Sequence, residues 1–356
     1  MSQETHEANS TGEYQNAGAI LAPRLPDVPN GPLPLRDALG RGAVLAAANW
    51  QIVLIEFTVE SFYKTALAVP IIGGAVMVQL IVGADLGEVF SDGLRAAADL
   101  ILASLTTAPA ALVSFLAAVA VVAFGGAAML FAIKAGTLGI LVDAERRISG
   151  VSLTSLDVDT FRQGARYSLQ SVHDGVQHFG RRAVALSFGL AVAYFTVGAA
   201  YLGVTIYGFA LAGRLSWLPA WPLLVLVVTS AAVVAVSVVN LTFDLLRVIV
   251  ITDDCSVAEA GRRLKAFATA DARQVIGIFS VFGGLVVLAT LATLLAATGL
   301  GLVALLPVLS VVTAPLQVAA WIVRGLLFQY MGLAALATYG TQYRRFSDPR
   351  RSATPL

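Results

Sequence analysis

Six stretches of this chain are apolar for longer than a soluble core helix usually is, and they organise everything between them. They run from about 50 to 82, 109 to 133, 183 to 211, 223 to 249, 275 to 298 and 316 to 339. A hydrocarbon layer of about 30 Å takes about 20 helical residues, so each stretch predicts one transmembrane helix. The first is preceded by an apolar-rich segment, Leu35 to about Asn49, which predicts a surface-lying or partly immersed helix before a long span from Trp50 to Val82. Pro70 marks a kink site inside that span. Residues 85–105 place Leu86, Val89, Phe90, Leu94, Ile101 and Leu105 at helical intervals among Asp85, Glu88, Asp92, Arg95 and Asp99, the pattern of an amphipathic interfacial helix. Lys134 to Arg182 reads as a long polar loop. The turn with Arg214, Trp217, Pro219, Trp221 and Pro222 carries tryptophans suited to a headgroup belt. The last apolar stretch, 299–339, exceeds one crossing, and Pro307 and Pro315 predict a short re-entrant or interfacial piece before the sixth span.

One connector is richer than the others. NLTFDLLRVIVITDDCSVAEAGRRLKAFATADARQVIGIF, residues 240–279, leaves the fourth span, crosses Asp253 and Asp254, forms a basic amphipathic segment and enters the fifth span. Ser256 and Glu259 have the spacing of a capping box. The second half of this stretch aligns with residues 34–57, putting Ala38 on Ala260, Arg41 on Arg263, Ala46 on Ala268, Asn49 on Asp271 and Phe57 on Phe279. A looser third copy, FRQGARYSLQSVHDGVQHFGRRAVALSF, precedes the third span, with Thr160 and Gln163 in the capping positions. The chain then parses into three units of surface helix plus transmembrane hairpin, in keeping with the internal repeats of many transport folds.

Composition agrees with a chain whose solvent is lipid: 58% of residues are hydrophobic, 13% are charged and mean hydropathy is +0.81, against about a quarter charged in soluble proteins. The expected fold class is all-α, a polytopic membrane protein of about six spans with cytosolic amphipathic helices. Residues 1–34 are polar and proline-punctuated and predict a disordered tail; 35–341 form the membrane domain, and 342–356 a basic tail. Residues 1–40 lack the basic start and apolar core of a signal peptide, so the first span is expected to act as its own membrane signal. The net charge of +1 makes no case for nucleic acid. Its distribution is informative. Nineteen Lys and Arg fall in the two tails and the connectors 134–182 and 247–274, against Arg95 and Arg214 on the other side. By the positive-inside rule both termini face the cytosol. Arginine outnumbers lysine by 20 to 3, which with the abundant alanine suggests a GC-rich bacterial genome.

The candidate chemistry sits at span edges. Ser230, Ser237, Asn240, Asp244 and Arg247 share one face of the fourth span, either lining a wet cavity or pairing Asp244 with Arg247 while Asn240 and Ser237 bond neighbouring helices. Glu56, Glu60 and Lys64 stand four residues apart on the first span; they are solvated if interfacial, and Glu56 or Glu60 could bind a proton or cation if immersed. Arg324 lies deep in the last span and is read as a structural pairing, with snorkelling or a lipid phosphate as the alternatives. Small-residue faces at Ala185, Gly189 and Ala193, and at Ala289, Thr293 and Ala297, suit helix packing within one chain, with a protein partner or in a homo-oligomer. Cys255 is single and permits no internal disulfide; His6 lies in a polar tail, and His173 and His178 are five apart, off the same-face spacing of a metal pair. No phosphate-binding loop, zinc motif, nucleophile elbow or dinucleotide fingerprint occurs, so no cofactor is expected and membrane lipids are the expected partners.

The amphipathic lead-in, the GTLGILVD end of the second span, DDCSVAEAGRRLKAF before the fifth, and APLQVAAWIVRGLLFQY followed by TYGTQYRRF together resemble bacterial multipass families that include the membrane domain found beside glycerophosphodiester phosphodiesterases. The resemblance covers roughly residues 35–346. It implies a six-span helical fold in the cytoplasmic membrane, with no established activity for most members; the phosphodiesterase domain has no counterpart in this sequence, so its chemistry does not carry over. The functional classes are then ranked with a non-enzymatic scaffold, assembly or membrane-organising protein first, a small transporter second and an intramembrane lipid enzyme last.

Overall fold

The computed structural model describes residues 34–82, 109–148, 165, 167–214, 221–304 and 307–347. These form eight helices and no strand: α1 (Leu35–Ala48), α2 (Trp50–Val82), α3 (Pro109–Ile148), α4 (Leu169–Arg214), α5 (Trp221–Thr252), α6 (Val257–Ala270), α7 (Ala272–Ala304) and α8 (Pro307–Ser347). Five of them are long and apolar enough to cross a membrane, and α1 with α2, bent by 74° at their junction, makes a sixth. The chain is an all-α, multi-pass, membrane-embedded protein. The tail 1–33, the amphipathic segment 85–105, the capping positions Thr160 and Gln163, and Trp217 and Pro219 lie outside the described residues.

Neighbours in sequence pack as antiparallel hairpins, α3 along α4 and α4 along α5, while α7 and α1 pack on α8. At each apolar run a helix is the only single-segment way to satisfy backbone polar groups without water. The outer parts of the six long helices, residues 65–82, 109–133, 183–213, 221–243, 274–304 and 307–323, contain no Asp, Glu, Lys, Arg or His. Among the side chains described there, most large ones face outward, Phe195 at 77% and Leu295 at 73% exposed, while Leu186, Val275 and Ile278 near the basic ends of their segments are buried. The buried core lies at the other, basic end. It comprises Ala38, Leu45, Ile52 and Val53 from α1 and α2, Leu138, Leu141 and Ile148 from α3, Val248 to Ile251 from α5, Phe267, Ile278, and Leu333 to Tyr343 of α8.

Four expectations change here. The polar loop expected over 134–182 is mostly helix, because α3 continues to Ile148 and α4 begins at Leu169. Ala135, Leu138, Leu141, Ala144 and Ile148 keep a helical apolar face that is buried; the helix outlasts the lipid, and only its polarity changes. The segment 35–48 is a helix as expected, but the face carrying Ala38, Arg41, Gly42, Leu45, Ala46 and Ala48 is buried against neighbouring helices and is not available to lipid. Helix α8 runs unbroken from Pro307 through Pro315, so no re-entrant piece precedes the last span. The third repeat unit lacks the break of the other two, because Leu169–Arg214 is one helix.

The two-copy repeat is visible in the backbone. Helices α1 and α6 have 14 residues each, and α2 and α7 have 33 each, in the register that aligns Asn49 with Asp271. Those two residues are the C-caps, with φ −110° and −118°. Their N–H groups donate to Leu45 O and Phe267 O, and their carbonyls accept from Ile52 N and Gln274 N. Burial repeats too: Ala38 and Ala260, Leu45 and Phe267, and Val53 and Val275 are buried in both copies. Ser256 caps α6 by accepting from Glu259 N at 3.3 Å, whereas the Glu259 carboxylate binds Arg262 and Arg263 at 2.9–3.1 Å and leaves the other half of the capping box unmade.

Helix α1 reaches α8 only because Gly42 has no side chain. A Cβ there would stand 2.0 Å from Thr338 Oγ1 and 2.6 Å from Ala334 O, while a Cβ on Gly40 meets nothing within 4 Å. Gly42→Ala is therefore expected to lower stability by about 1–3 kcal/mol through overpacking, and Gly40→Ala to leave it equal or raise it by up to about 1 kcal/mol through helix propensity. Reversible unfolding of both variants in mixed micelles measures the contrast.

Candidate functional site

Where the charge-free segments end, α2, α3, α5 and α8 meet in one ionic cluster. Glu56 is buried on α2 and accepts from Thr137 Oγ1 of α3 at 2.6 Å. One turn outward, the Glu60 carboxylate receives Lys64 Nζ at 2.8 Å, Lys134 Nζ at 3.2 Å and Gln329 Nε2 of α8. Lys134 and Arg247 both lie close enough to Glu56 to act on its charge, and Lys134 does the same for Asp244. Arg247, buried on α5, holds Asp244 at 3.7 Å and stacks over Phe131 at 4.9 Å. With Arg324 the cluster holds four cations against the carboxylates of Glu56, Glu60 and Asp244.

Of the residues singled out in the sequence, Glu56, Glu60, Lys64, Asp244 and Arg247 therefore share one network, with Lys134 as its hub. Asn240 stands apart, accepting from Tyr194 Oη of α4. Ser237 and Ser230 return their hydroxyls to Val233 O and Leu226 O of their own helix, each at 2.8 Å, so along the polar stripe of α5 the Asp244–Arg247 pair is joined by neither serine. Arg324 does not make the expected carboxylate pairing. Its guanidinium lies over Phe328 at 5.6 Å, and among the described residues no carboxylate comes within 4 Å of it. Gly189, in one of the small-residue faces, packs against Phe243 of the same chain.

Sequence reasoning missed Lys134, Thr137 and Gln329. It also missed a second ion group at the basic end, where Glu145 takes Arg41 at 3.6 Å and Arg344, and Arg41 donates to Ile148 O. The signal available was the apolar periodicity through KAGTLGILVDAERRI, which places Thr137 beside Lys134 on a continuing helix.

The repeat separates what the fold needs from what the first copy adds. At the positions of Glu56, Glu60 and Lys64 the second copy carries Ile278, Phe282 and Val286. Ile278 is as buried as Glu56, so the helix break itself does not call for a carboxylate there. A buried ionisable group confined to one of two matched copies is a functional candidate.

The α5–α6 connector is an anchoring device. Asp253 accepts from Arg263 Nη1 at 2.5 Å and from Tyr343 Oη. Asp254, at φ 49°, takes Arg182 and His178, and the Arg182 guanidinium beside it, with His178, holds its carboxyl below the usual aspartate range. Burial pushes the Cys255 thiol up, against a thiolate role. Among the described residues, no group of three or more His, Cys, Asp and Glu could hold a metal ion. No family model, curated protein or solved structure matches the chain.

Lys134→Met leaves Glu60 with one cation and Glu56 without its main one, and is expected to cost about 3 kcal/mol, the scale of breaking a buried pair. The double variant with Glu60→Gln should cost less than the two single losses added, with a coupling of about 1–3 kcal/mol. A double-mutant cycle of unfolding in micelles reads it.

Proposed function

We propose that this chain is a non-enzymatic multi-pass protein of the bacterial cytoplasmic membrane, with both termini in the cytosol, that organises or assembles a partner on its packed cytosolic layer. The observation that carries the reading is the position of the core. Buried side chains collect at the basic end, from α1, α6 and the ends of α3, α5 and α8, beyond the charge-free slab. That layer presents an exposed basic face on α6 through Arg262 and Lys265, and its α5–α6 connector is held by the ion pairs of Asp253 and Asp254. A polar route through the slab finds little support in comparison: Thr65, Thr196, Thr205, Ser230, Thr290 and Thr298 bond carbonyls of their own helices.

A transporter is the second reading, and one observation favours it: the buried Glu56, present in only one of two otherwise matched helix units, is what a proton- or cation-coupled site would add.

Purification in native lipid followed by mass spectrometry separates the two. The scaffold reading expects a stoichiometric protein partner that Arg262→Glu with Lys265→Glu releases while the chain stays folded. No such partner, together with solute or proton flux in proteoliposomes that Asp244→Asn and Glu60→Gln abolish, would establish the transporter instead.

A further inference from the structure

A cavity of about 460 Å³ opens between α2, α7 and α8, with Glu60, Lys64, Arg324 and Gln329 as its main polar groups and Trp321 and Phe328 among its aromatic walls. Its depth can be read from the charge pattern. Lys64 is the last charged residue on α2 before the charge-free segment 65–82, and Arg324 is the first on α8 after the charge-free segment 307–323. Each segment is roughly 26 Å long at about 1.5 Å per residue, close to the thickness of about 30 Å of a hydrocarbon layer. Two cations on different helices therefore stop at the same edge of the slab, where headgroups begin.

Neither cation is consumed by the protein. Arg324 is exposed and, among the described residues, has no carboxylate within 4 Å, only the Phe328 ring at 5.6 Å. Lys64 touches Glu60 at 2.8 Å, yet Glu60 is already held by Lys134 and Gln329, and the Lys64 side chain remains 67% exposed. The cavity thus offers excess positive charge and several free N–H donors beside aromatic walls. Trp321, 55% exposed at its edge, suits the headgroup zone.

We propose that this cavity binds the phosphate of an anionic phospholipid from the leaflet at the basic end. The Arg324 guanidinium presents paired N–H groups to two phosphate oxygens, a geometry an ammonium cannot reproduce. Lys64 supplies a second point charge, and the acyl chains run outward along the exposed apolar sides of α7 and α8. The site is independent of whether the packed layer serves a scaffold or a transporter.

Native mass spectrometry of the purified chain, titrated with phosphatidylglycerol and with phosphatidylcholine, tests the proposal. The expected result is preferential retention of phosphatidylglycerol, weakened about tenfold or more in Lys64→Gln with Arg324→Gln, about 1.4 kcal/mol or more, and weakened less in Arg324→Lys. Arg181→Gln, exposed on α4 and remote from the cavity, should bind as the unaltered chain does. Equal affinity for the two lipids, undiminished binding by the folded double variant, or an equal loss in Arg181→Gln would overturn the site. Full displacement of the lipid by millimolar inorganic phosphate would show a free-anion site and overturn the lipid assignment.

Discussion

The carboxylate of Glu60 is the point on which the middle of the molecule depends. It collects Lys64 from its own helix, Lys134 from α3 and Gln329 from α8, so three helices meet on two oxygen atoms. At the edge of a lipid slab such groups have few other partners, and a carboxylate left there alone costs several kcal/mol. The contact therefore sets register as well as proximity. Sliding α2 by one turn, about 5.4 Å, would part Glu60 from Lys134 and Gln329 and Glu56 from Thr137, bringing at most one of the two carboxylates to the other's partners. Aliphatic spans pack in many registers, and this pair of contacts selects one.

The distribution of packing follows from where water is. Within lipid there is no hydrophobic gain in pressing one apolar helix against another, and association rests on close fit and hydrogen bonds. Once the helices leave the slab, water returns and apolar burial becomes worth about 25 cal/mol per Å². The buried residues lie on that side: Leu138, Leu141 and Ile148 on α3, Val248 to Ile251 on α5, Phe267 against Tyr343 and Phe346. The ion pairs of Glu145, Asp253 and Asp254 seal its outer rim. Six lipid-facing helices are thus held together chiefly by what they do outside the lipid.

The spans were legible because a run of about 20 apolar residues has one physical reading. The break at Asn49 and its counterpart at Asp271 were legible through the alignment of 34–57 with 256–279, whose register the helix ends reproduce. Beyond the slab the signal weakens. Polarity made 134–148 look like loop, although its apolar positions keep helical spacing, and Lys134 was taken for the start of that loop when it is the hub of the ionic cluster. The burial of α1 depends on Gly42, and nothing local says that Thr338 will sit against it. Asp244 and Arg247 were seen as a pair from their spacing; the periodicity through 134–148 sets Thr137 beside Lys134 on one helix, but nothing in it says that Glu56, Glu60 and Gln329 of other helices meet them. Arg324 was misread for the same reason, since its surroundings are set by α2 and α7.

The charge pattern makes the ring of Lys64, Lys134, Asp244, Arg247 and Arg324 the lipid boundary, with the packed core beyond it. Depth measured by collision of spin labels with apolar and polar quenchers tests this most directly, using Lys64→Cys, Arg324→Cys and Gly261→Cys in a Cys255→Ser chain in lipid bilayers. Positions 64 and 324 are expected at a common depth beside the headgroups, and position 261 in water on the same side. Labels 64 and 324 lying near the bilayer centre, or at clearly different depths, would contradict it.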